Sequence, residues 1–324
     1  MTSLTAPVMA PPAPSDGFIW RFRRELSVLL AYLGLLLVLA IFTPAFYRGL
    51  FWSTWVSSAP TLIAAVGMTL VILTRQIDIS IGSQFSVCGI VAGMLAAAGC
   101  PVWIAALGAI AIGALMGAAN GALVAWVRLP SIVVTLAMMV ILRGLLLWQT
   151  SGAAVHLPIG FQWFGMSQNS GQWTMIVAAF ALAAMFAIAM RWLAAGRTVY
   201  AVGSDEEAAR LAGIRPRRVI FSVFVITGGL TGLAALLNMA TFTLVYPNAG
   251  DGLELQVIAA VVVGGIAITG GRGNLIGIVI GVALLGTIAS ALVSLRTPPQ
   301  WAKAIQGAII LIAVASDGLY RRAR

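Results

Sequence analysis

From residue 27 to residue 317 the sequence is a succession of apolar runs, each close to the length of a helix that crosses a bilayer. They fall at 27–46, 55–74, 81–99, 102–127, 130–149, 173–195, 217–240, 254–270, 274–295 and 300–317. About 20 apolar residues span the hydrocarbon core as a helix. Backbone polar groups inside that core must find partners within the protein, which leaves helices or closed barrels. The runs lack the apolar/polar alternation of barrel strands. The expected fold is therefore all-α: a polytopic transmembrane helical bundle of about ten segments, with eight or nine within the error of span boundaries. Composition agrees. The chain is 61% apolar and 9% charged, where soluble domains sit near ~45–50% and ~25%. In water, such a chain would expose large apolar patches. The run at 81–99 is short, glycine-rich and polar at its start, so a broken or re-entrant third segment is expected.

Charge sets the orientation. With the N-terminus placed in the cytoplasm and the runs alternating, only Arg48, Arg143, Arg296 and Lys303 of the 19 basic residues fall outside the cytoplasmic face. That bias has the sign of the positive-inside rule, and both termini are read as cytoplasmic. The loop at 150–172 contains no Lys or Arg, as an external loop should. The net charge of +10 then reflects loop arginines near lipid, and no nucleic-acid partner is expected. Three regions follow: a largely disordered cytoplasmic tail over 1–26, a membrane domain over 27–318, and a short cytoplasmic tail over 319–324. The opening "MTSLTAPVMAPPAPSDG" lacks the basic start and apolar core of a signal peptide.

One cytoplasmic loop, 196–216, is long and charged. Its core reads "SDEEAARLAG". Ser204 is the expected N-cap, with Glu207 three residues on completing a capping box. Acidic residues occupy the first turn, where the helix dipole favours them. Arg210 lies near the end, Gly213 is the expected C-cap and Pro216 follows. A short, capped, charged helix of this kind is either a solvated connector or a docking surface for a cytoplasmic partner.

Within and beside the runs, polar residues are few. Arg143 in "MMVILRGLLLWQ" either snorkels toward the outer interface or is a pathway-facing or helix-pairing cation. Asp78, Ser80 and Ser83 in "RQIDISIGSQ" either cap the third segment or line a path. Asn120 and Asn238 are expected to hydrogen-bond between helices or to touch solute. The pattern I-x-I-[ST]-x-G recurs at 77–82 and 266–271, each time after an apolar run and before a glycine-rich one, which hints at an internal repeat. Small residues in "GAIAIGALMGAANGAL" permit close helix packing. Trp52, Trp55, Trp148, Trp163 and Trp173 fall near outer span ends, as an interfacial belt would. His156 and the cysteines Cys88 and Cys100 form no metal or disulfide pattern. No Asp/Glu/His relay is read inside the spans. No phosphate loop, nucleophile set or HExxH motif occurs, so no catalytic residue, metal or cofactor is expected in this chain. Energy for transport would come from another chain or from an ion gradient.

Four stretches carry a family resemblance: "IDISIGS" at 77–83, "NGALVAWVRLPSIVVTLAMM" at 120–139, "GRTVYAVGSDEEAARLAGI" at 196–214 and "GLELQVIAAVVVGGIAITGGRG" at 252–273. In this order they resemble the membrane permeases of ribose-type ABC sugar importers, a family that also serves rhamnose, xylose, arabinose and autoinducer-2. The resemblance covers nearly all of the chain past residue 25. It implies a bacterial inner-membrane subunit that pairs with itself or with a related permease. It also implies a cytoplasmic ABC ATPase, which carries the ATP and magnesium, and a periplasmic sugar-binding protein. By resemblance, Gly203, Ser204, Asp205, Glu206, Glu207, Ala208, Ala209, Arg210 and Gly213 form the loop that couples to the ATPase. One departure stands out: the family often has Gly-Gly before the Ile-Asp of the first motif, where this chain has Arg75-Gln76. That is more like the rhamnose and autoinducer-2 branches. The alternative reading is a secondary transporter of a small metabolite.

Overall fold

The computed structural model describes residues 23–43, 46–158, 169–242, 244–298, 301, 303–305, 307–308 and 311. Its helices are α1 (Arg23–Phe42), α2 (Phe51–Leu73), α3 (Ile81–Ala97), α4 (Val102–Ala125), α5 (Ser131–Thr150), α6 (Asn169–Trp192), α7 (Ala194–Ser204), α8 (Glu206–Leu211), α9 (Pro216–Met239), α10 (Leu253–Val263) and α11 (Leu275–Ser294). A π-helical turn, Phe46–Leu50, leads into α2. The chain is helical as expected. Among the described residues the small exception is a two-residue antiparallel pairing of β1 (Val155–His156) with β2 (Leu244–Val245).

The expectation of about ten segments, the third of them short, is met in part. Among the described residues, six helices are long and apolar enough to cross a membrane: α2, α4, α5, α6, α9 and α11. Three apolar helices are shorter: the apolar part of α1, and α3 and α10. Trp163, the tails at 1–22 and 319–324 and most of the run at 300–317 lie outside the described residues.

Helix α2 is the axle of the bundle. Every residue from Ser58 to Leu73 is buried, so it is apolar on all sides because protein surrounds it on all sides. Thr227 on α9 donates its hydroxyl to Gly67 O on α2 at 2.9 Å. Helices α4 and α9 meet through their small residues. A Cβ on Gly113 would overlap the Gly228 carbonyl oxygen, and a Cβ on Gly228 would overlap that of Gly113. Gly117 stands the same way against Phe224 O, and Gly232 against Ala109 O. The stripe expected to pack closely does so, backbone on backbone, which is how helices gain contact energy where lipid offers no hydrophobic drive.

The two short helices have a common cause: the chain re-enters the bundle before each begins. After α2 it climbs along α5. Ile77 N–H donates to Ser131 Oγ (3.2 Å) and Ile79 N–H to Thr135 Oγ1 (3.1 Å), while Ser83 donates its hydroxyl to Met139 O (3.0 Å). From 131 to 139 a helix rises about 12 Å, so α3 starts that far inside. From the other end, the chain after β2 descends along α3. Val245 packs at Gly89, Gly250 N–H donates to Ser86 Oγ (2.9 Å), and Gly250 and Glu254 press on Gly82. That descent is about 10 Å. The expected break at the third segment is present, and α10 supplies a second one. Irregular backbone at this depth is stable only because protein encloses it.

Candidate functional site: two re-entrant segments and a charged loop

The amino ends of α3 and α10 meet where the two re-entrant segments arrive. On the α4 side, Asp78 is fully buried. Its Oδ1 accepts from Ser80 N–H (2.9 Å) and from the Ser80 hydroxyl (2.5 Å), and its Oδ2 accepts from Gln84 Nε2 (3.1 Å). Ser80 Oγ in turn accepts from Gln84 Nε2 (2.7 Å) and Asn120 Nδ2 (2.8 Å). Asp78, Ser80, Gln84 and Asn120 have no exposed surface. They brace the start of α3 against α4, and in this conformation a solute does not reach them. A carboxylate at a helix amino end also meets the positive pole of the helix dipole. The sequence expectation of a cap at the third segment is half right: Ser80 holds the N-cap position without a side-chain cap bond, and Asp78 supplies the acceptor. Ser83, 2% exposed, faces α5.

On the other side of α3, Glu254 lies in the first turn of α10 and is 8% exposed, with Oε2 beside Gly82. Two carboxylates, Asp78 and Glu254, are thus buried beside the starts of α3 and α10, in a region where the sequence reading found no relay and gave Glu254 no role. Glu254 and Gln84 are the residues that reading missed. The signal was available: an acidic residue two positions after Asp251-Gly252, at the head of an apolar run. It looked like a boundary residue because the ruler for spans assumes that helices begin at the membrane surface.

Arg143 on α5 pairs with Asp251, Nη2 to Oδ1 at 2.7 Å, with both side chains more than a third exposed (36% and 40%). The arginine is not alone. It holds the segment leading into α10. Asn238 is half-buried near the far end of α9, and the structure does not bring it to this cluster. Trp52 and Trp173 pack together at a 4.3 Å ring separation, with Trp52 Nε1 donating to Gln172 Oε1 (2.6 Å).

The charged loop contains more structure than expected. Helix α7 precedes α8, with Gly196, Val199, Val202 and Gly203 buried. Helix α8 is the short charged helix, but its cap is Asp205, not Ser204. Asp205 Oδ1 accepts from Glu207 N–H (2.9 Å) and Ala208 N–H (3.0 Å). Ser204 cannot be the cap because it is the last residue of α7. Glu207 pairs with Arg210 instead of closing a capping box, and this raises the guanidinium pKa further above its usual value. Glu206 and Ala208 are exposed while Ala209 is buried. Gly213, at φ 81°, ends the helix as expected: its N–H donates to Arg210 O, and Ile214 N–H to Ala209 O, both at 3.0 Å.

Three loops converge at the carboxyl end of α7. Gly271 N–H donates to Leu73 O (2.9 Å), and Tyr200 donates its hydroxyl to Gly273 O (2.9 Å). Arg75 donates from Nε to Gly203 O (2.6 Å) and from Nη2 to Ser204 O. Gly203 must be glycine here, since a Cβ would overlap Leu73 O. The repeated I-x-I-[ST]-x-G motifs both lie at this end. Each leaves its helix through a left-handed residue, Arg75 (φ 62°) and Gly265 (φ 93°).

Residues 50–314 match the family model described as branched-chain amino acid transport system / permease component. The chain belongs to this family. Among curated relatives it is similar to the autoinducer 2 import system permease protein LsrC of Shigella flexneri, 37% identical over 306 residues, which is 92% of this chain and 88% of the relative. LsrC of Escherichia coli O157:H7 is 38% identical with the same coverage. LsrC of Salmonella typhi is 34% identical over 310 residues, 92% of this chain and 86% of the relative. No solved structure matches. Membership accounts for the apolar bundle: this is a multi-pass permease of the bacterial inner membrane, a non-catalytic transport subunit.

Proposed function

We propose that this chain is the permease subunit of an ATP-driven importer for autoinducer-2 or a closely similar sugar-like solute. The observation that carries the reading is the similarity to permeases named for autoinducer-2 import, running over nine-tenths of the chain. The two re-entrant segments support it, because broken helices meeting inside a bundle are a common site for a transport pathway. In this reading the arginine-rich end, with α7 and α8, faces the cytoplasm. A separate ABC ATPase, holding ATP and magnesium, docks on Gly203–Gly213. A periplasmic binding protein delivers the solute to the opposite end, and the pathway forms between two permease chains, identical or related. Arg143 and Asp251, partly exposed beside the start of α10, are the polar groups placed to meet solute. Asp78, Ser80 and Asn120 act as the brace behind them.

The buried carboxylates raise the second reading, an ion-coupled secondary transporter. Asp78 argues against a proton relay, because both its oxygens are already engaged by Ser80 and Gln84. Uptake of autoinducer-2 into proteoliposomes separates the two. Import should require the ATPase, the binding protein and ATP. It should fail when Glu206 and Glu207 are both changed to alanine, or Gly213 to a bulky residue, with loss of ATPase co-purification. Import driven by an ion gradient with no partner present would favour the second reading.

A further inference from the structure

We infer that Arg75 is a positioning residue that transmits the motion of α8 to the inner re-entrant segment, an inference that rests on the importer reading above. Arg75 stands in the turn after α2, three residues before Asp78. Its guanidinium crosses to the carboxyl end of α7 and donates to the carbonyls of Gly203 and Ser204. Those carbonyls carry the negative pole of α7, which a cation complements. Ser204 is followed at once by Asp205, whose side chain caps α8. One side chain therefore ties the residue before the docking helix to the backbone that runs directly into the buried Asp78–Ser80–Gln84–Asn120 cluster.

The backbone at Arg75 makes the choice of residue informative. Its φ of 62° lies in the left-handed region that glycine adopts most readily. After α10, the residue two past the helix end, as Arg75 is two past the end of α2, takes the same left-handed conformation and is a glycine, Gly265 (φ 93°). Glycine would suit the turn, and arginine is strained there. What arginine adds is a fork of donors that engages two carbonyls of another helix with charge-assisted hydrogen bonds. The contact is also tight on its other side. Gly270 packs against the Arg75 side chain, and a Cβ on Gly271 would press on Ser204. With Gly271 N–H bonded to Leu73 O, the ends of α2 and α7 and the loop before α11 meet at one node. A displacement of α8 thus meets a stiff link at Arg75, not a slack loop.

Arg75→Gly tests this without threatening the fold, since it removes the fork and relieves the turn. The complete complex would be purified from membranes and reconstituted, with autoinducer-2 as the probe and with import and ATP hydrolysis measured in the same vesicles. The wild-type arm is scored first: if it does not import on ATP, the importer reading falls and takes this inference with it. Given wild-type import, Arg75→Gly should keep its ATPase and hydrolyse ATP, while import per ATP drops about 2- to 30-fold, the span of coupling energies measured through packed networks. Arg75→Lys, which keeps the charge but not the fork, should fall between. An unchanged import-to-hydrolysis ratio in Arg75→Gly would sink the inference alone. So would a parallel loss of import, hydrolysis and bound ATPase, which marks a role in assembly.

Discussion

Gly82 and Gly250 press backbone against backbone: a Cβ on either would overlap the carbonyl oxygen of the other. This contact joins the first turn of α3 to the segment that leads into α10, and so joins the two re-entrant paths. It also explains why neither short helix can begin closer to its own end of the bundle. Each start is fixed by the other.

Gly82→Ala or Gly250→Ala should therefore destabilise the protein by about 1–3 kcal/mol, as overpacking does, and should depress import more than expression. Gly89→Ala is the control. There the nearest neighbour is a Val245 methyl at 3.3 Å, a side chain able to shift by a few tenths of an ångström. Thermal unfolding in detergent micelles would rank the three. Equal midpoints for Gly82→Ala and Gly89→Ala would show that the backbone contact is not what holds the segments.

Ser80 and Ser83 look interchangeable in sequence and are not in space. Ser80 Oγ donates to Asp78 and accepts from Gln84 and Asn120, all buried. Ser83 makes one bond, to Met139 O. Ser80→Ala leaves two buried amide donors short of a partner and should cost about 1–3 kcal/mol. Ser83→Ala should cost about 1 kcal/mol or less. Asn120→Ala in the Ser80→Ala background should add less than it does alone, since the two share a bond. Additive effects in that cycle would contradict the network.

Much of this architecture could be read from the residues, and the boundary of what could not is instructive. Apolar runs locate helices, so α2, α4, α5, α6, α9 and α11 follow from run length alone. The break before α3 follows from Asp78, Ser80 and Ser83 beside glycines. The break before α10 does not, because Tyr246-Pro-Asn-Ala-Gly-Asp-Gly252 reads as an ordinary external loop, and only its packing against Gly82 and Ser86 shows that it dips inward. The charged helix was legible from its cap signals. The one-residue error at Ser204 arose because two adjacent residues, Ser204 and Asp205, both suit an N-cap, and the end of α7 decides between them. Pairings such as Arg143 with Asp251, or Arg75 with Gly203, join positions more than a hundred residues apart, and local pattern carries no information on them.

The Arg143–Asp251 pair should matter to transport more than to folding. Both side chains are over a third exposed, and exposed pairs contribute about 0–1 kcal/mol. Arg143→Gln and Asp251→Asn should each leave the unfolding midpoint nearly unchanged and reduce autoinducer-2 import. If the pair is a latch between α5 and the α10 segment, the exchange Arg143→Asp with Asp251→Arg should recover part of the loss. A large shift in the midpoint with import intact would reverse this assignment and make the pair structural.

Asp205, not Ser204, should govern the charged helix. Its carboxylate accepts from two backbone N–H groups at the start of α8, and losing an N-cap of this kind costs about 1 kcal/mol. A helix of six residues has no reserve against that loss, because so short a helix is marginal without tertiary support. Asp205→Ala should therefore fray α8, seen as faster amide hydrogen exchange over Glu206–Leu211, and should weaken ATPase co-purification. Asp205→Asn keeps an acceptor oxygen and should retain most of both. Ser204→Ala should leave the exchange unchanged, since the Ser204 side chain caps nothing in α8. The Glu207–Arg210 pair is exposed on both sides (64% and 66%), so Glu207→Gln should barely move exchange. If it nonetheless abolishes ATPase binding, the carboxylate is used by the partner and not by the helix.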